Sequence, residues 1–292
     1  MSNNRSDYDT TKNITRKGCL YLVATPIGNL SDITERALKV LNDVDFIAAE
    51  DTRNSLRLLT HFGISKPLIS YFEHNKRERG EIIADRLSGG ESCALVTDAG
   101  TPAISDPGED LVRLCAERKI PVFSVPGACA AICALTLSGL NTSRFCFEGF
   151  LPTSKSERKS RLEALKNEER TIIFHEAPHK LKSTLSDLAS ILGTDRQIAL
   201  CRELTKLNEQ TIRTTLGDAM EYYNVEQPRG EYVLVVAGSE AIEQKAFWEN
   251  MSIEEHLEYY MKNGMDKRDA VKSVAHDRGV PKNDIYKKTI DI

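Results

Sequence analysis

Two aspartates and two glycines in one loop are the residues of this sequence whose types and spacing best suit ligand chemistry. The loop covers positions 97–108 and reads TDAGTPAISDPG. Its carboxylates, Asp98 and Asp106, can accept hydrogen bonds from a ribose, an amine or a nearby amide. The glycines allow close backbone approach or positive φ, and the prolines stiffen the path. The loop therefore predicts a ligand site, with a rigid connection that binds nothing as the alternative.

The elements around this loop place it at the edge of a sheet. Positions 92–96 form an apolar run with the length of a buried parallel strand, and positions 109–119 carry apolar residues on one helical face. In open α/β sheets, the loops after the carboxyl ends of strands line the ligand crevice. Such connections usually have ~2 to 6 residues, so the length of this one favours a functional role.

A second predicted strand, at 45–49, ends in two acids and an arginine. Glu50, Asp51 and Arg53 follow it directly and could position a substrate or a proton. Asp51 is equally well placed to cap the next helix, because a carboxylate there accepts hydrogen bonds from the first free amides. One aspartate can do both, so both interpretations stand.

Two basic tracts are candidates for contact with a polyanion. The net charge of −4 argues against a general polyanion binder, so nucleic acid would need a local basic patch. Positions 72–79 combine aromatic, amide and basic side chains that could hold a phosphate and stack on a base, and positions 154–161 form a basic helix start. A solvated helix surface is the alternative for both. The candidate RNA-binding residues are Arg53, His74, Asn75, Lys76, Arg77, Lys155, Arg158 and Lys159.

The run HEAPH at positions 175–179 matches the zinc-peptidase pattern, in which two histidines bind one metal. That pattern works only on a helix, where both imidazoles share a face. Here a predicted strand at 171–174 runs straight into the motif. Pro178 disfavours helical geometry at the preceding residue but suits the first position of a helix. We therefore predict a strand-end loop, a helix that starts at Pro178, and no metal.

Length and composition limit the classes of protein to which this sequence can belong. The 292 residues give room for about two domains, and 40% hydrophobic with 28% charged residues is ordinary for a soluble globular protein. No apolar run reaches the ~18 to 20 residues of a membrane span, and the amino terminus lacks the apolar core of a signal peptide. Seven cysteines without a Cys-x-x-Cys pair fit a reducing compartment. We expect a cytoplasmic protein that does not bind membranes.

The alternation of predicted strands and helices indicates two α/β domains. Positions 18–138 form the first, with a parallel sheet, and positions 139–240 the second, with a mixed sheet. Positions 1–17 are polar without apolar periodicity and are expected to be a disordered tail. Positions 241–292 predict a helical, helix-turn-helix-like extension. Its nearly balanced charge leaves open whether it contacts RNA or serves packing and dimerisation.

Several of these segments resemble one family. The loop at 97–108, TPIGNL at 25–30, AEDTR at 49–53 and RELTK at 202–206 look like signatures of the tetrapyrrole methylase family, in the branch that methylates ribosomal RNA. The resemblance implies a two-domain α/β fold with S-adenosylmethionine (SAM) in the cleft between the domains, and a homodimer. It implies 2′-O-methylation of a cytidine in the decoding centre of 16S rRNA, within the small ribosomal subunit. A SAM-dependent methyltransferase acting on a tetrapyrrole precursor and a non-catalytic RNA-binding protein are the alternatives.

Site residues follow from the resemblance and from the strand-end positions. Glu50, Asp51 and Asp98 are candidate catalytic bases, unranked, and Asp98 with the backbone of 99–102 is expected to hold the methionine and ribose portions. His175 stands where the family commonly has a tyrosine, which puts a hydroxyl role at that position in doubt. The expected cofactor-binding residues are Pro26, Gly28, Asp98, Ala99, Gly100, Thr101, Pro102, Ser105, Asp106, Ala128, Glu176, Ala177, Leu204 and Ala237.

Overall fold

The computed structural model describes residues 14–239 and 247–288. The chain divides into two compact units, one that ends at Ser239 and one that follows it. The first unit contains two five-stranded sheets and the second is helical. Residues 1–13 of the predicted disordered tail lie outside the described residues, as do 240–246 and 289–292 of the predicted extension.

The first sheet is entirely parallel, as predicted. Its strands are β1 (Leu20–Val23), β2 (Phe46–Ala49), β3 (Leu68–Ser70), β4 (Cys93–Val96) and β5 (Val122–Val125), in the order β3-β2-β4-β1-β5. Strands β2 and β4 are buried at every position, which explains their continuous apolar sequences. Because parallel strands end at one edge, the loops that follow β1, β2 and β4 meet there.

Helices cover both faces of this sheet. They are α1 (Glu35–Asp43), α2 (Thr52–His61), α3 (Lys76–Ser88) and α4 (Glu109–Glu117). Apolar side chains of α1 and α2 pack on one face, and those of α3 and α4 pack on the other. Asp51 accepts a hydrogen bond from the Arg53 N–H at 2.8 Å, so the interpretation of Asp51 as the cap of α2 is confirmed.

The second sheet is mixed, again as predicted. Its elements are α5 (Ala130–Ser138), β6 (Phe145–Gly149), α6 (Lys155–Ala164), β7 (Thr171–Glu176), α7 (Leu181–Leu192), β8 (Gln197–Arg202), β9 (Gln210–Thr215), α8 (Leu216–Val225) and β10 (Tyr232–Val236). The strand order is β6-β7-β10-β8-β9, with β10 antiparallel to β7 and β8. The start of a helix at Pro178 is wrong, because positions 178–180 form a turn and α7 begins at Leu181.

The strands β6, β7 and β8 all end at one edge of the second sheet. Gly149, Glu176 and Arg202 are their last residues, and the antiparallel β10 begins at this edge with Tyr232. Helix α5 packs on one face of the sheet, while α6, α7 and α8 pack on the other. This edge is the one that forms part of the candidate site.

The second unit consists of α9 (Ile253–Lys262), α10 (Lys267–Asp277) and α11 (Lys282–Lys288). Ser252 and Glu255 form a capping box at the start of α9, in which each side chain bonds the other's backbone N–H. Leu257, Val271 and Ile285 are fully buried between the helices. Among the described residues of the chain, no helix is long and apolar enough to cross a membrane.

Candidate active site

Hydrogen bonds join three loops at the carboxyl edge of the first sheet. Thr25 and Gly100 exchange two backbone hydrogen bonds, with N···O distances of 2.9 and 3.0 Å. Thr101 Oγ1 donates to the Ala128 carbonyl at 3.0 Å, which ties the loop 97–108 to the turn after β5. Gly100 has a φ of 84°, and a Cβ there would lie 3.3 Å from the Ile27 side chain. Glycine is therefore needed where these loops cross.

A cavity of about 430 Å³ lies between these loops and the second sheet. Ile27 and the loop 97–108 line it from the first sheet, while Leu204 and Tyr232 line it from the second. Its volume falls within the range of small-molecule and cofactor sites. The edges at which the strands of both sheets end thus enclose one candidate ligand site.

Four carboxylates gather on the first-sheet side of this site, and two of them have firm partners. Asp98 accepts hydrogen bonds from Asn54 Nδ2 at 2.9 Å and from the Asp51 N–H at 3.3 Å. Asp51 pairs with Arg53, with Nη2···Oδ2 at 2.9 Å, and hydrogen bonds from Arg53 lower the pKa of Asp51 to about 2. Because Asp51 already caps α2 and pairs with an arginine, it is poorly suited to accept a proton.

The other two carboxylates have raised pKa values. Burial raises the pKa of Glu50, and the charges of Asp98 and Asp51 raise it further. Burial likewise raises the pKa of Asp106 to about 6, with added repulsion from Glu50 and Asp98. Asp106 also lines the cavity. A carboxyl group with a pKa near neutrality is well matched to proton transfer at physiological pH.

Backbone strain is concentrated beside the cavity. Ala103 and Ser105 in the first-sheet loop, and Glu203 and Thr205 after β8, have positive φ between 51° and 66°. This conformation is unfavourable for residues other than glycine, and it persists where the surrounding structure imposes it, often at binding sites. Among the described residues, Lys119 beyond α4 is the remaining residue of this kind.

The second-sheet side of the cavity is aromatic. His175 lies in β7, and its ring packs edge-on against Phe147 and Phe150, with ring centroids 5.1 and 5.5 Å away. Burial lowers the pKa of His175, so its imidazole is neutral at physiological pH. Glu176 is 4% exposed and accepts hydrogen bonds from a backbone N–H and from the Thr184 hydroxyl. Its charge is therefore satisfied within the protein.

A second cavity, of about 390 Å³, adjoins the first and is lined in part by Asp98 and Lys206. The Lys206 ammonium bridges Glu203 at 3.0 Å and Glu231 at 2.8 Å. A Cβ at Gly28 would lie 2.4 Å from Lys206 Cγ, so the loops after β1 and β8 touch where only glycine fits without rearrangement.

Most of the predicted cofactor-binding residues meet at these cavities. Those that line the first are Ala99, Gly100, Thr101, Ser105, Asp106, Glu176, Ala177 and Leu204. Those that line the adjoining one include Pro26, Gly28 and Asp98. Two others belong to the same loops without lining a cavity. Pro102 is buried, and the Ala128 carbonyl accepts the hydrogen bond from Thr101.

Ala237 is an exception, because it does not line either cavity. Since β10 runs antiparallel to β7 and β8, its first residue, Tyr232, lies opposite Glu176, and its last residue lies at the far edge. The Ala237 N–H donates to the Gln197 carbonyl at the start of β8. Ala237 is therefore placed away from the cavity, because the direction of its strand decides which edge it reaches.

The first predicted RNA-binding tract uses part of its polar surface internally. Asn75 hydrogen-bonds the backbone of its own turn, and Lys76 pairs with Asp110 at 2.8 Å. His74 and Arg77 are exposed and form no ion pair among the described residues. They are the members of this tract that remain available to a partner.

The second tract faces a groove of about 750 Å³ between α6 and α7. Arg158 is engaged within the protein, because its Nε lies 2.6 Å from the Asp187 carboxylate. Lys155, Lys159 and Lys180 line the groove, and none of these lysines forms an ion pair within the described part of the chain. The groove thus presents positive charge, although the chain as a whole is acidic.

The HEAPH motif does not lie on one helix. His175 lies in a strand and His179 in the turn that follows it, and the described residues contain no group of three side chains suited to a metal. Sequence reasoning did not assign His175 or Phe150 to the cavity. The sequence did contain an indication of their position, because both residues lie at the carboxyl end of a strand. His175 precedes Glu176 in β7, and Phe150 directly follows β6.

Comparison with known proteins identifies the family. Residues 19–220 match the model described as Tetrapyrrole (Corrin/Porphyrin) Methylases, and the chain belongs to this family. The predictions of a methyltransferase and of SAM as its methyl donor are thereby confirmed. Relatives named ribosomal RNA small subunit methyltransferase I come from Halalkalibacterium halodurans and Bacillus subtilis. Each is 49% identical over 272 residues, covering 92% of this chain and 94% and 93% of those relatives, respectively.

Solved structures confirm the predicted fold class. A uroporphyrin-III-C-methyltransferase from Thermus thermophilus superposes with a TM-score of 0.54 at 19% identity, covering 75% of this chain and 94% of that one. A diphthine synthase superposes with a TM-score of 0.57 at 15% identity, covering 75% and 90%. At these identities the likeness concerns the fold alone.

Proposed function

We propose that the protein transfers the methyl group of SAM to the ribose 2′-hydroxyl of a cytidine in the decoding centre of 16S rRNA, within the small ribosomal subunit. The observation that carries the proposal is an acid-lined cavity with a second cavity beside it. The two supply adjacent places for a methyl donor and an acceptor. Small-subunit ribosomal RNA as the acceptor is inferred from the name of relatives that are 49% identical over 92% of this chain. The cytidine, its 2′-hydroxyl and the decoding centre are what the resemblance of the sequence motifs implies.

The residues around the first cavity fit SAM. Gly100 and the small Ala99 allow a ligand to approach the backbone, and Asp106 offers a carboxylate to a cationic ligand. A positive charge beside Asp106 would also offset its repulsion from Glu50 and Asp98. Bound SAM supplies a methyl group that its sulfonium has already activated. The chain therefore needs to place the acceptor and remove its proton.

Placement is expected to contribute more than proton removal. Orientation can supply ~7 to 11 kcal/mol, whereas one general base gives a factor of about 10² to 10⁴. Asp98, fixed by its hydrogen bond from Asn54, is suited to orient a ribose hydroxyl. We assign proton removal to Asp106, because it lines the first cavity, which the acceptor hydroxyl must reach to attack the methyl group, and its pKa is raised to about 6. Glu50 contributes by repelling the Asp106 charge.

The groove between α6 and α7 is the proposed path of the RNA backbone. Lys155, Lys159 and Lys180 provide three cations without protein partners among the described residues. The groove begins close to the first cavity, because Phe150 and Pro178 line the cavity and groove residues follow each of them within two positions. Phosphate groups on one side of the target nucleotide would bind there, in a salt-dependent manner.

We also propose that the full chain forms a homodimer, as its resemblance to the family suggested. Sedimentation velocity of the purified protein at several concentrations tests this directly. A mass of one chain at all concentrations would contradict it.

Labelled methyl transfer to small ribosomal subunits that lack the modification tests the reaction. Nuclease digestion and nucleoside mass spectrometry should reveal 2′-O-methylcytidine, dependent on SAM and protein. A label on another atom would make the 2′-hydroxyl assignment wrong. If SAM binds but the subunits gain no methyl group, the acceptor is wrong, and tetrapyrrole precursors become the substrates to test.

Charge reversal of the lysines tests the RNA path separately. The triple variant Lys155→Glu, Lys159→Glu, Lys180→Glu should bind S-adenosylhomocysteine normally but bind the small subunit more weakly, with a shallower dependence on salt. Arg77→Glu, on the first tract, tests the other candidate RNA contact. If the triple variant binds the subunit as tightly as wild type, the proposed RNA path along the groove is wrong, but the proposed methyl transfer is not contradicted.

A further inference from the structure

We propose that His175 binds and positions the cofactor by hydrogen-bonding the purine edge of the ligand through Nδ1. This inference rests on the proposed binding of SAM in the first cavity. It goes beyond that proposal because it assigns an orientation to the ligand and a role to a side chain that replaces the tyrosine common at this position.

The two ring nitrogens of His175 have different surroundings. Nε2 is sealed from solvent and has no hydrogen-bond partner in the described residues. Nδ1 likewise makes no hydrogen bond there, but it is not among the sealed atoms. Because His175 lines the cavity, Nδ1 is the polar atom of the ring that a ligand can reach. Packing against Phe147 and Phe150 fixes the ring plane.

Other polar side chains on this side of the cavity already have partners. Both carboxylate oxygens of Glu176 accept hydrogen bonds, and Glu231 pairs with Lys206. The Tyr232 hydroxyl lies 3.3 Å from the Tyr223 hydroxyl. Among the described residues that line the cavity from the second sheet, His175 is therefore a neutral side chain with unused hydrogen-bonding capacity. A neutral imidazole can form one such bond as donor or as acceptor.

The charge distribution of the cavity orients the ligand. SAM has an ammonium and a carboxylate at its amino acid end, a cationic sulfonium near its middle and an uncharged purine at the other end. Asp106, with Glu50 and Asp98 near it, makes the first-sheet side suitable for the sulfonium and ammonium groups. The exposed face of Phe150 and the neutral His175 make the opposite side suitable for a flat purine. Nδ1 is then left to bond the purine edge.

Calorimetric titration of the full chain with S-adenosylhomocysteine and 5′-methylthioadenosine tests this role. The second ligand keeps the adenosine half and lacks the amino acid. His175→Phe keeps an aromatic ring and removes the hydrogen bond, so both ligands should bind about five- to tenfold more weakly. His175→Asn should recover most of the affinity, because its δ atoms take the place of Nδ1.

Two further variants act as controls. His175→Gln should not recover affinity, because its polar atoms extend to the ε position, which is sealed. His179→Asn alters an exposed histidine in the next turn and should leave binding unchanged. Thermal unfolding of each variant identifies any loss of affinity that arises from misfolding.

The outcomes separate this inference from the proposed function. Unchanged affinity in His175→Phe would overturn it, as would recovery by His175→Gln in place of His175→Asn. A loss with S-adenosylhomocysteine but not with 5′-methylthioadenosine would place His175 at the amino acid end, and would also overturn it. If the wild-type chain binds neither ligand, the proposed function is wrong as well. If the wild-type chain methylates RNA and His175→Phe binds both ligands as tightly as wild type, this inference alone is wrong.

Discussion

The two edges of the first sheet carry aspartates with opposite properties. At the amino edge, Asp45 pairs with Lys17 and accepts hydrogen bonds from the Ser92 N–H and hydroxyl, and these partners lower the pKa of Asp45 to about 2. At the carboxyl edge, burial and repulsion raise the pKa of Asp106 to about 6. The amino edge satisfies its charge within the protein. At the carboxyl edge, the surroundings of Asp106 disfavour its ionised form.

Glycines at the two edges differ as well. Gly18, before β1, has a φ of 65°, and a Cβ there would lie 3.4 Å from its nearest neighbour, the Leu87 carbonyl oxygen. Gly108, at the end of the candidate ligand loop, has a φ of 153°, and a Cβ there would lie 2.9 Å from Ala103 Cβ. The carboxyl edge thus combines a carboxyl group of raised pKa with tight backbone packing.

Asp106→Asn should produce the largest effect. An asparagine cannot take a proton from the acceptor hydroxyl, so methyl transfer should fall about 10²-fold or more. Wild-type kcat/KM for SAM should decline as pH falls through about 6, because this parameter reports the ionisation of Asp106 in the free protein. Asp45→Asn, at the other edge, should leave turnover unchanged below its unfolding temperature. Full activity in Asp106→Asn would show that the carboxyl edge does not supply the base.

Gly108→Ala should destabilise the protein far more than Gly18→Ala. Both changes force an alanine into positive φ, at a cost of about 1 kcal/mol, but only at Gly108 does the new methyl group also clash with its neighbours. We expect a loss of about 3 kcal/mol for Gly108→Ala and about 1 kcal/mol for Gly18→Ala in urea unfolding. Equal losses would mean that the loop relaxes around the added methyl group.

The pH dependence of stability should have opposite signs at the two edges. The folded-state pKa of Asp106, about 6, lies above its unfolded value of ~3.9, so ionisation costs stability as pH rises through about 6. Asp106→Asn removes that cost and should be about 1 kcal/mol more stable than wild type at pH 8, after allowance for solvent screening. The two should be equally stable below pH ~4. Urea unfolding at several pH values measures this difference.

Asp45 should behave in the opposite way. Its folded-state pKa, about 2, lies below the unfolded value, so its charge stabilises the protein above pH ~4, and this contribution is lost as pH falls through about 2. Asp45→Asn should therefore be less stable than wild type at pH 7, by about 1 kcal/mol for a partly exposed group. A variant less stable than wild type by the same amount at pH 7 and at pH 2 would contradict an electrostatic cause.

Lys17→Met should have the smallest effect. The Lys17 side chain is 68% exposed, and such surface ion pairs contribute roughly 0 to 1 kcal/mol. We expect a loss of about 0.5 kcal/mol at low salt that shrinks at high salt. Ser92→Ala is the sharper test of the amino edge, because Ser92 is buried and its hydroxyl bonds Asp45 at 2.7 Å. A larger loss in Lys17→Met than in Ser92→Ala would reverse this ranking.

Much of the fold could be predicted from local sequence. Continuous apolar runs such as 93–96 identify buried parallel strands, and the Gly- and Pro-rich segment at 97–108 identifies the loop that follows. The candidate site was predictable to the extent that it consists of such loops. Ala237 could not be placed this way, because its position depends on pairing between strands that are distant in sequence.

The sequence by itself determined the strands, the loops at their ends and the family, because apolar periodicity, turn residues and motifs are local properties of the chain. Only the tertiary structure decided that burial and repulsion raise the pKa of Asp106, and that Nε2 of His175 is sealed from solvent. Asp98 and Asp106 stand in the same loop, yet Asn54, which hydrogen-bonds Asp98, and Glu50, which repels Asp106, come from a different part of the chain. Burial, charge repulsion and the direction of strand pairing arise between residues that are distant in sequence, and only folding brings these residues together.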